Sequence, residues 1–471
     1  YQFTAKQGQR IRLRVHAASL GSPIDAALRI QRAAQTDQPP LLELDDSPLP
    51  DHDIFGTSFR GGGGMQQAID PSVVWTAPDD GNYLLTVTDT SGAGGPTGIY
   101  RIEIEEPETM VQTVLTSGTF DWTESMRVSG FAIPRGNRWT VDVSLPAGQW
   151  NRIGTRFKLQ ARGLPAGMRL ESPIVPADAP FWPVQLIADA AAPAGGGVFT
   201  LEAIPVSDDA TVVLNPVTTR CQQNVPFINH PGGSAWRTVR TDRYVAGVTD
   251  PAPFSLEIDQ PRISLVRGGE LAIPVRIIRH NGFAEPVEIR CGGMPRSIAT
   301  PPPTIIPGDQ SEGVLQLGAE PTAPLQSVPL YVIGSTIRDE IDPFLGAGHI
   351  RVSSEIVALQ VAEPWVELAA APDSIRRGQT RAFVWTVRQR SPFAGAARVT
   401  LLGLPRGVSV LEPLPEISKD SSEVAFTLQA TDEALLGPVN GLTCEVAVPV
   451  GDQILIQRTG SGTLRIDPRA E

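Results

Sequence analysis

The sequence predicts an all-β protein built as β-sandwiches in tandem, and three observations support this fold class. The 471 residues exceed what a single hydrophobic core normally organises, so several domains are expected. The 45 glycines and 44 prolines interrupt nearly every window in which a helix of three turns could form. One pattern of turn and strand residues also occurs three times. Together these features indicate short strands joined by many turns.

Each copy of the repeated pattern begins with an Arg-Gly turn and reaches a Gly-Leu-Pro or Gly-Met-Pro tripeptide after 28, 26 and 26 residues. The turn arginines and the tripeptide glycines are Arg135 and Gly163, Arg267 and Gly293, and Arg377 and Gly403. Each copy contains about seven short strands, with turn residues every 8–12 positions. This spacing predicts one antiparallel sandwich of the immunoglobulin (Ig) or fibronectin III type per copy.

We interpret the tripeptide as a corner of the sandwich. In the third copy, Pro405 cannot donate a hydrogen bond to a strand ladder, so the chain should leave the sheet there. Gly407 can supply a positive φ if the corner requires one. The intervening Leu404 would hold the turn against the core. The predicted role of the repeated tripeptide is therefore structural.

The strands that close each copy set the predicted domain limits. They lie at 252–258, 355–363 and 462–468. The predicted domains are residues 1–108, residues 109–258 with an insertion at 218–245, residues 259–363, and residues 364–471. Because the connections between them are short, we expect a semi-rigid rod.

Residues 1–108 do not share the repeated pattern. The informative segments are Phe3–Ala5 with Gly8 and Gln9, Ser22–Ala26, Leu44–Asp46, Thr76–Tyr83 and Ile99–Ile102. In these segments the chain resembles the bacterial pre-peptidase C-terminal (PPC) domain. The resemblance implies a small jelly-roll-like β-sandwich with non-catalytic roles, which holds calcium in some members. A PPC domain followed by Ig-like repeats resembles large secreted proteins of planctomycete-type bacteria.

Charge and composition narrow the classes of partner. The net charge of -12 and the pI near 5.1 disfavour nucleic acid, which requires clustered Lys and Arg. No apolar run reaches the roughly 18–20 residues that a membrane span needs. The expected partners are a protein, a surface polysaccharide or a second copy of the chain. Cys221, Cys291 and Cys444 form no CxxC motif, so they predict either unpaired thiols or one disulfide.

Catalytic motifs are not evident, and we predict a non-enzymatic protein. The five histidines are scattered over all the predicted domains, and none belongs to an HExxH motif. No Gly-x-Ser-x-Gly nucleophile elbow occurs either.

Four carboxylates on one loop make a candidate calcium site. Asp45, Asp46, Asp51 and Asp53 lie within nine positions of each other. Calcium takes six to eight oxygen ligands, which an irregular acidic loop can supply. The alternative, that these are solvated turn residues, stays open.

The insertion at 218–245 is the most unusual segment of the repeats. It contains Asn229, His230 and Trp236, and Trp150 is a further aromatic candidate outside it. Aromatic rings supply contact area and amides supply orientation, a combination that suits a sugar or a protein ligand. The alternative is a loop packed on its own sandwich.

These observations predict a non-catalytic protein that is secreted, at the cell surface or periplasmic, with a structural, assembly or adhesive role. Two alternatives remain. The chain could be the accessory substrate-binding region of a secreted hydrolase, or it could be a carbohydrate-binding module. Fold alone does not choose between them.

Overall fold

The computed structural model describes residues 1–46, 70–92, 94–107, 111–117, 130–144, 155–177, 179, 181–207, 215–230, 233–241, 243–336, 350–451 and 453–470. In these residues the chain forms strands and one short 3-10 helix, Ala18–Leu20. None of the helical segments described is long and apolar enough to cross a bilayer. The chain divides into two compact units, one containing Tyr1–Pro251 and the other containing Ala252–Arg338 and His349–Glu471.

The first seven strands form two sheets with a common core. They are β1 (Gln2–Ala5), β2 (Arg10–His16), β3 (Ala26–Arg32), β4 (Leu42–Leu44), β5 (Ser72–Thr76), β6 (Gly81–Asp89) and β7 (Arg101–Glu105). The sheet orders are β1-β6-β3-β4 and β5-β2-β7. Buried side chains from both sheets, including Leu13, Leu28, Trp75 and Tyr83, belong to one apolar cluster. The two sheets therefore form a sandwich.

The next ten strands form one sheet. They are β8 (Val111–Ser117), β9 (Phe131–Pro134), β10 (Arg138–Ser144), β11 (Phe157–Arg162), β12 (Met168–Glu171), β13 (Phe181–Ala188), β14 (Gly195–Pro205), β15 (Val217–His230), β16 (Gly233–Thr241) and β17 (Tyr244–Thr249). The order is β12-β13-β10-β8-β15-β14-β17-β9, with β11 on β14 and β16 on β15. The Tyr244 hydroxyl on β17 donates to the carbonyl oxygen of Thr113 on β8. Because these strands are not neighbours in the order, the sheet folds back on itself around a core.

The second unit contains the remaining twenty strands. The first eleven are β18 (Phe254–Ile258), β19 (Leu265–Val266), β20 (Gly269–Arg279), β21 (Val287–Cys291), β22 (Ile298–Ala299), β23 (Thr304–Ile306), β24 (Glu312–Ala319), β25 (Ser327–Leu330), β26 (Val332–Thr336), β27 (Arg351–Ser353) and β28 (Val357–Ala362). The last nine are β29 (Val366–Ala369), β30 (Asp373–Arg376), β31 (Thr380–Gln389), β32 (Ala396–Leu402), β33 (Val408–Val410), β34 (Glu416–Ser418), β35 (Glu423–Ala430), β36 (Gly437–Val450) and β37 (Gln453–Asp467). The predicted fold class, all-β with tandem β-sandwiches, is confirmed.

Strand β18 has a different partner from the one we expected. The sequence assigns it to the end of the first Ig-like repeat. In the structure it pairs with β20, from Phe254 opposite Arg279 to Ile258 opposite Val275. Its alternating buried residues belong to the core of the second unit. An alternating pattern predicts the strand but not which neighbouring sheet receives it.

The repeated Arg-Gly turn makes equivalent hydrogen bonds in all three copies. The arginine donates its backbone N–H to the end of the last strand of its copy, and the glycine donates to an alanine that ends a central strand. In the first copy the acceptors are the carbonyl oxygens of Thr249 for Arg135 and Ala188 for Gly136. In the second copy they are those of Ala362 for Arg267 and Ala319 for Gly268, and in the third copy those of Asp467 for Arg377 and Ala430 for Gly378. The turn therefore fastens two strand ends together in each copy.

The tripeptide forms a tight corner, which confirms its structural interpretation. Gly167 and Gly407 have φ values of +75° and +86°. A Cβ on either would lie 2.6 Å from an atom of Ala192 or Ala434, and both alanines are buried. Glycine is needed at these two positions for both its φ and its size. The second copy has Ser297 there.

The second and third repeats share a sheet. β20 pairs with β37, with Gly269 opposite Gln457 and Glu270 opposite Ile456. The approach is close, because a Cβ on Gly269 would lie 2.7 Å from the Ile456 carbonyl oxygen. Arg458 forms an ion pair of 2.8 Å with Glu270 beside this junction. The two repeats therefore form one continuous hydrogen-bonded structure within the second unit.

Candidate functional site

The structure describes two of the four carboxylates predicted to bind calcium. Asp45 and Asp46 directly follow β4, whereas Asp51 and Asp53 lie outside the described residues. Partial burial raises the pKa of Asp46, and the negative charges of Asp45 and Asp25 raise it further. A protonated Asp46 is therefore favoured more than an isolated aspartate would be.

Asp89, which the sequence analysis missed, organises the turn after β6. Its carboxylate accepts hydrogen bonds from the Gly94 N–H at 2.9 Å, the Ser91 hydroxyl at 2.7 Å and the Asp25 N–H at 3.0 Å. These donors, led by Gly94, lower the pKa of Asp89 to about 2. Because both carboxylate oxygens accept protein hydrogen bonds, Asp89 has a structural role.

Asp79 and Asp80, in the loop before β6, also have structural roles. The Arg32 guanidinium lies 2.6 Å from the Asp79 carboxylate and lowers its pKa. The Tyr83 hydroxyl donates to the Asp79 carbonyl oxygen at 2.6 Å. Asp80 accepts the Gln7 N–H at 2.6 Å. These bonds hold the loop before β6 against the neighbouring strands.

Metal and thiol chemistry find little support in the described part of the chain. There, no group of three or more histidine, cysteine, aspartate or glutamate side chains is arranged to hold a metal ion. The calcium site therefore stays a prediction. Cys291 and Cys444 are free thiols, and burial raises the pKa of each to about 12. Thiols with so high a pKa are poor nucleophiles at neutral pH.

The predicted insertion is a long β-hairpin formed by β15 and β16. The two strands pair antiparallel from Cys221, opposite Thr241, to His230, opposite Gly233. β8 pairs with β15 only at residues 219–222, and β14 pairs with it only at residues 217 and 218. Within the described part of the chain, residues 223–230 and 233–241 thus pair only with β15 or β16. We call these two segments the ribbon.

Three of the four predicted ligand-binding residues lie on the ribbon. The register places Trp236 opposite Pro226 and Asn229 opposite Ser234. His230 is the last paired residue of β15. Trp150 lies outside the described residues. The hairpin therefore places Trp236, Asn229 and His230 within one short stretch of paired strands.

The two outer edges of the ribbon differ. On β15, Pro226 lacks a backbone N–H and the register shifts between Pro226 and Ile228, which indicates a β-bulge. Both features blunt a strand edge against further pairing. On β16, nine residues run from Gly233 to Thr241 with no proline and no register shift of their own. The edge of β16 is therefore the regular one.

The hairpin carries the opposite charge to the chain as a whole. Between residues 217 and 241 the sequence contains Arg220, Arg237 and Arg240 and no aspartate, glutamate or lysine. The formal charge of the chain is -12. The hairpin is thus a locally basic element on an acidic protein.

Comparisons with known proteins find only remote structural likeness. No protein-family model and no curated protein matches the chain. Salmonella alpha-2-macroglobulin aligns at 10% identity over 99% of this chain and 38% of its own, with a TM-score of 0.23. A marsupial T cell receptor aligns at 11% over 70% and 98%, with a TM-score of 0.17. The D0-D1 domain of intimin aligns at 13% over 45% and 97%, with a TM-score of 0.16.

The chain spans less than half of the alpha-2-macroglobulin that it matches. Superpositions with such low TM-scores carry no argument about function. The class that the structure defines is a protein of tandem β-sandwiches with a locally basic hairpin, whose strand β16 pairs only with β15 among the described residues.

Proposed function

We propose that this chain is a non-catalytic protein of the extracellular space, the cell surface or the periplasm that binds a partner through the ribbon. The observation that carries the proposal is the regular edge of β16, which pairs only with β15 in the part of the chain that the structure describes. Proteins normally blunt or cover such edges because they are templates for pairing with another chain. An edge left open in this way fits a binding surface.

The tandem sandwiches suit a structural, assembly or adhesive role. In the second unit, the repeats are joined by strand pairing between β20 and β37 as well as by the chain itself. Such a joint restricts relative motion of the repeats more than a flexible linker would. The resemblance of residues 1–108 to PPC domains supports a secreted or surface location.

The test compares the full chain with a ribbon-shortened variant, in which Asn-Gly replaces residues 223–239. Asn-Gly closes a two-residue hairpin, and the pairs of Gln222 with Arg240 and of Cys221 with Thr241 remain. Both proteins are applied to peptide arrays and glycan arrays, and light scattering measures self-association. The control is the double change Leu435→Ser and Leu436→Ser, which removes exposed apolar surface from the third repeat.

We expect the full chain and the control to bind a component of one array, or to self-associate, and the shortened variant to lose that binding. Binding that survives shortening of the ribbon would contradict the proposal. If the only ligands are polysaccharides, the accessory or carbohydrate-binding alternatives gain support.

A further inference from the structure

We infer that the partner of the ribbon is an extended acidic polypeptide segment, which adds to β16 as a new strand. The inference rests on the proposed function and names the class of its partner. Three features of the described residues carry it: the regularity of the β16 edge, the charge of the hairpin, and a strand junction of the same kind elsewhere in the chain.

The β16 edge is suited to strand addition. In a two-stranded ribbon, alternate backbone N–H and C=O groups of each strand point away from the partner strand. Nine consecutive residues of β16 therefore present a row of donors and acceptors, and only Pro lacks a backbone N–H. The opposite edge, on β15, is interrupted by Pro226 and by the bulge that follows it. Pairing should consequently occur on β16 and not on β15.

The charge of the hairpin selects the partner strand. Arg237 and Arg240 lie on β16, and no acidic residue lies between positions 217 and 241. A second copy of β16 would bring arginines onto adjacent strands, and like charges on neighbouring strands are destabilising. Glutamate or aspartate on an added strand would instead form cross-strand pairs with the arginines. A polyanionic sugar could use the charge, but it would leave the backbone edge unpaired.

The junction between β20 and β37 shows the same combination within the chain. Strand pairing of Glu270 with Ile456 is accompanied by the ion pair of Glu270 with Arg458. A strand that carries a glutamate at the point of contact thus adds there to the edge of a hairpin strand that bears an arginine. The proposed complex at β16 repeats this arrangement with a strand from another protein.

The probe is a nine-residue peptide of valine and threonine with glutamates three residues apart, because Arg237 and Arg240 are three residues apart and therefore lie on opposite faces of β16. Two matched peptides accompany it: one with lysine in place of glutamate, and one N-methylated at its five central residues. N-methylation keeps the charges but removes backbone donors from both edges of the peptide. Binding to the full-length chain is measured by isothermal calorimetry, and amide hydrogen exchange with mass spectrometry locates the contact.

We expect the acidic peptide to bind and both matched peptides to bind at least about tenfold more weakly. Amides of β16 should exchange more slowly in the complex, whereas those of residues 223–230 should not change. The double change Arg237→Gln and Arg240→Gln should weaken binding about tenfold. The control Arg388→Gln with Arg406→Gln, which removes equal charge from exposed positions of the third repeat, should leave binding unchanged.

Several results would overturn the inference. Equal binding of the N-methylated peptide would show a purely electrostatic contact, and equal weakening by the control arginine changes would show a general charge effect. A sulfated polysaccharide that binds through the ribbon when the peptide does not would reject the peptide partner but leave the proposed function intact. Peptide binding that survives ribbon shortening would reject the inference, and if no other ligand depends on the ribbon, the proposed function fails as well.

Discussion

The two long hairpins of the molecule, β15–β16 and β36–β37, differ in whether their outer strand is covered. β37 pairs with β36 along most of its length, with β30 at residues 464–467 and with β20 at residues 456 and 457. β16, in the described part of the chain, pairs only with β15. The protein therefore covers a long hairpin edge where its neighbouring repeat can reach it. The two hairpins therefore differ at this edge, although both belong to copies of the same repeated pattern.

Strand β37 of the covered hairpin is stabilised by side-chain packing and side-chain hydrogen bonds as well as by strand pairing. Trp385 of β31 is fully buried, and a Cβ on Gly462 of β37 would lie 2.6 Å from its indole ring. The Gln457 side chain is buried and bonds to the backbone of Trp365 and Val366, at the start of the third repeat. Side-chain packing and buried hydrogen bonds thus tie β37 to its sandwich.

The largest expected effect comes from removing the indole under β37. Trp385→Ala should lower the free energy of unfolding of the second unit by about 3–5 kcal/mol, because it leaves a cavity between β31 and β37. Chemical denaturation of the full chain measures the change. Val384→Ala, at a neighbouring position that is 45% exposed, should change it by less than about 1 kcal/mol. Similar losses in both variants would mean that β37 does not depend on this packing.

The next largest effect on the free energy of unfolding is expected from replacing the buried side-chain amide of Gln457. Gln457→Leu should cost about 2–4 kcal/mol, because the Trp365 N–H and the Val366 carbonyl oxygen would each lose a buried partner. The same denaturation experiment reports it. Ile454→Ala on the same strand is the control, since Ile454 is 59% exposed. A loss no larger than that of the control would show that water replaces the amide at this site.

The sequence predicts the fold class and the corners well because both depend on local chemistry. The Arg-Gly turn and the positive φ of Gly407 follow from the conformations that glycine and proline allow. The partner of β18 and the junction of β20 with β37 depend on contacts between residues far apart in the chain. Alternating patterns alone do not specify which strands become neighbours.

The sequence predicted the candidate site as an insertion at residues 218–245, but it did not predict that this insertion forms a β-hairpin. The turn residues Pro231, Gly232 and Gly233 between two runs of strand-forming residues are the signal for a hairpin. Pro226 weakens that signal, because proline inside a run argues against a paired strand. Asp89 was missed because its role depends on the N–H groups of Asp25 and Gly94, which only the folded chain brings to it.

A smaller effect should follow from a change at the junction itself. Gly269→Ala places a methyl group 2.7 Å from the Ile456 carbonyl oxygen and 2.6 Å from Val266 Cγ2. We expect one calorimetric unfolding transition for the second unit of the unchanged chain. In Gly269→Ala we expect a loss of about 1–3 kcal/mol and two separate transitions. Gly318→Ala on β24 is the control, because its φ, like that of Gly269, is not positive and a Cβ there would meet no atom closer than 3.8 Å. One unchanged transition in Gly269→Ala would show that the two repeats are coupled by contacts other than this strand pair.

The smallest effect is expected from shortening the ribbon. Replacement of residues 223–239 by Asn-Gly should change the unfolding temperature of the full chain by less than about 3 °C, because the described residues of this segment pair only within the hairpin. Differential scanning calorimetry measures the shift. A fall of the size expected for Trp385→Ala would instead support the other interpretation of the insertion, a segment packed on its own sandwich. An unshifted transition together with lost binding would show that the two hairpins have different roles. The hairpin with β37 would stabilise the repeats, whereas the hairpin with β16 would bind a partner.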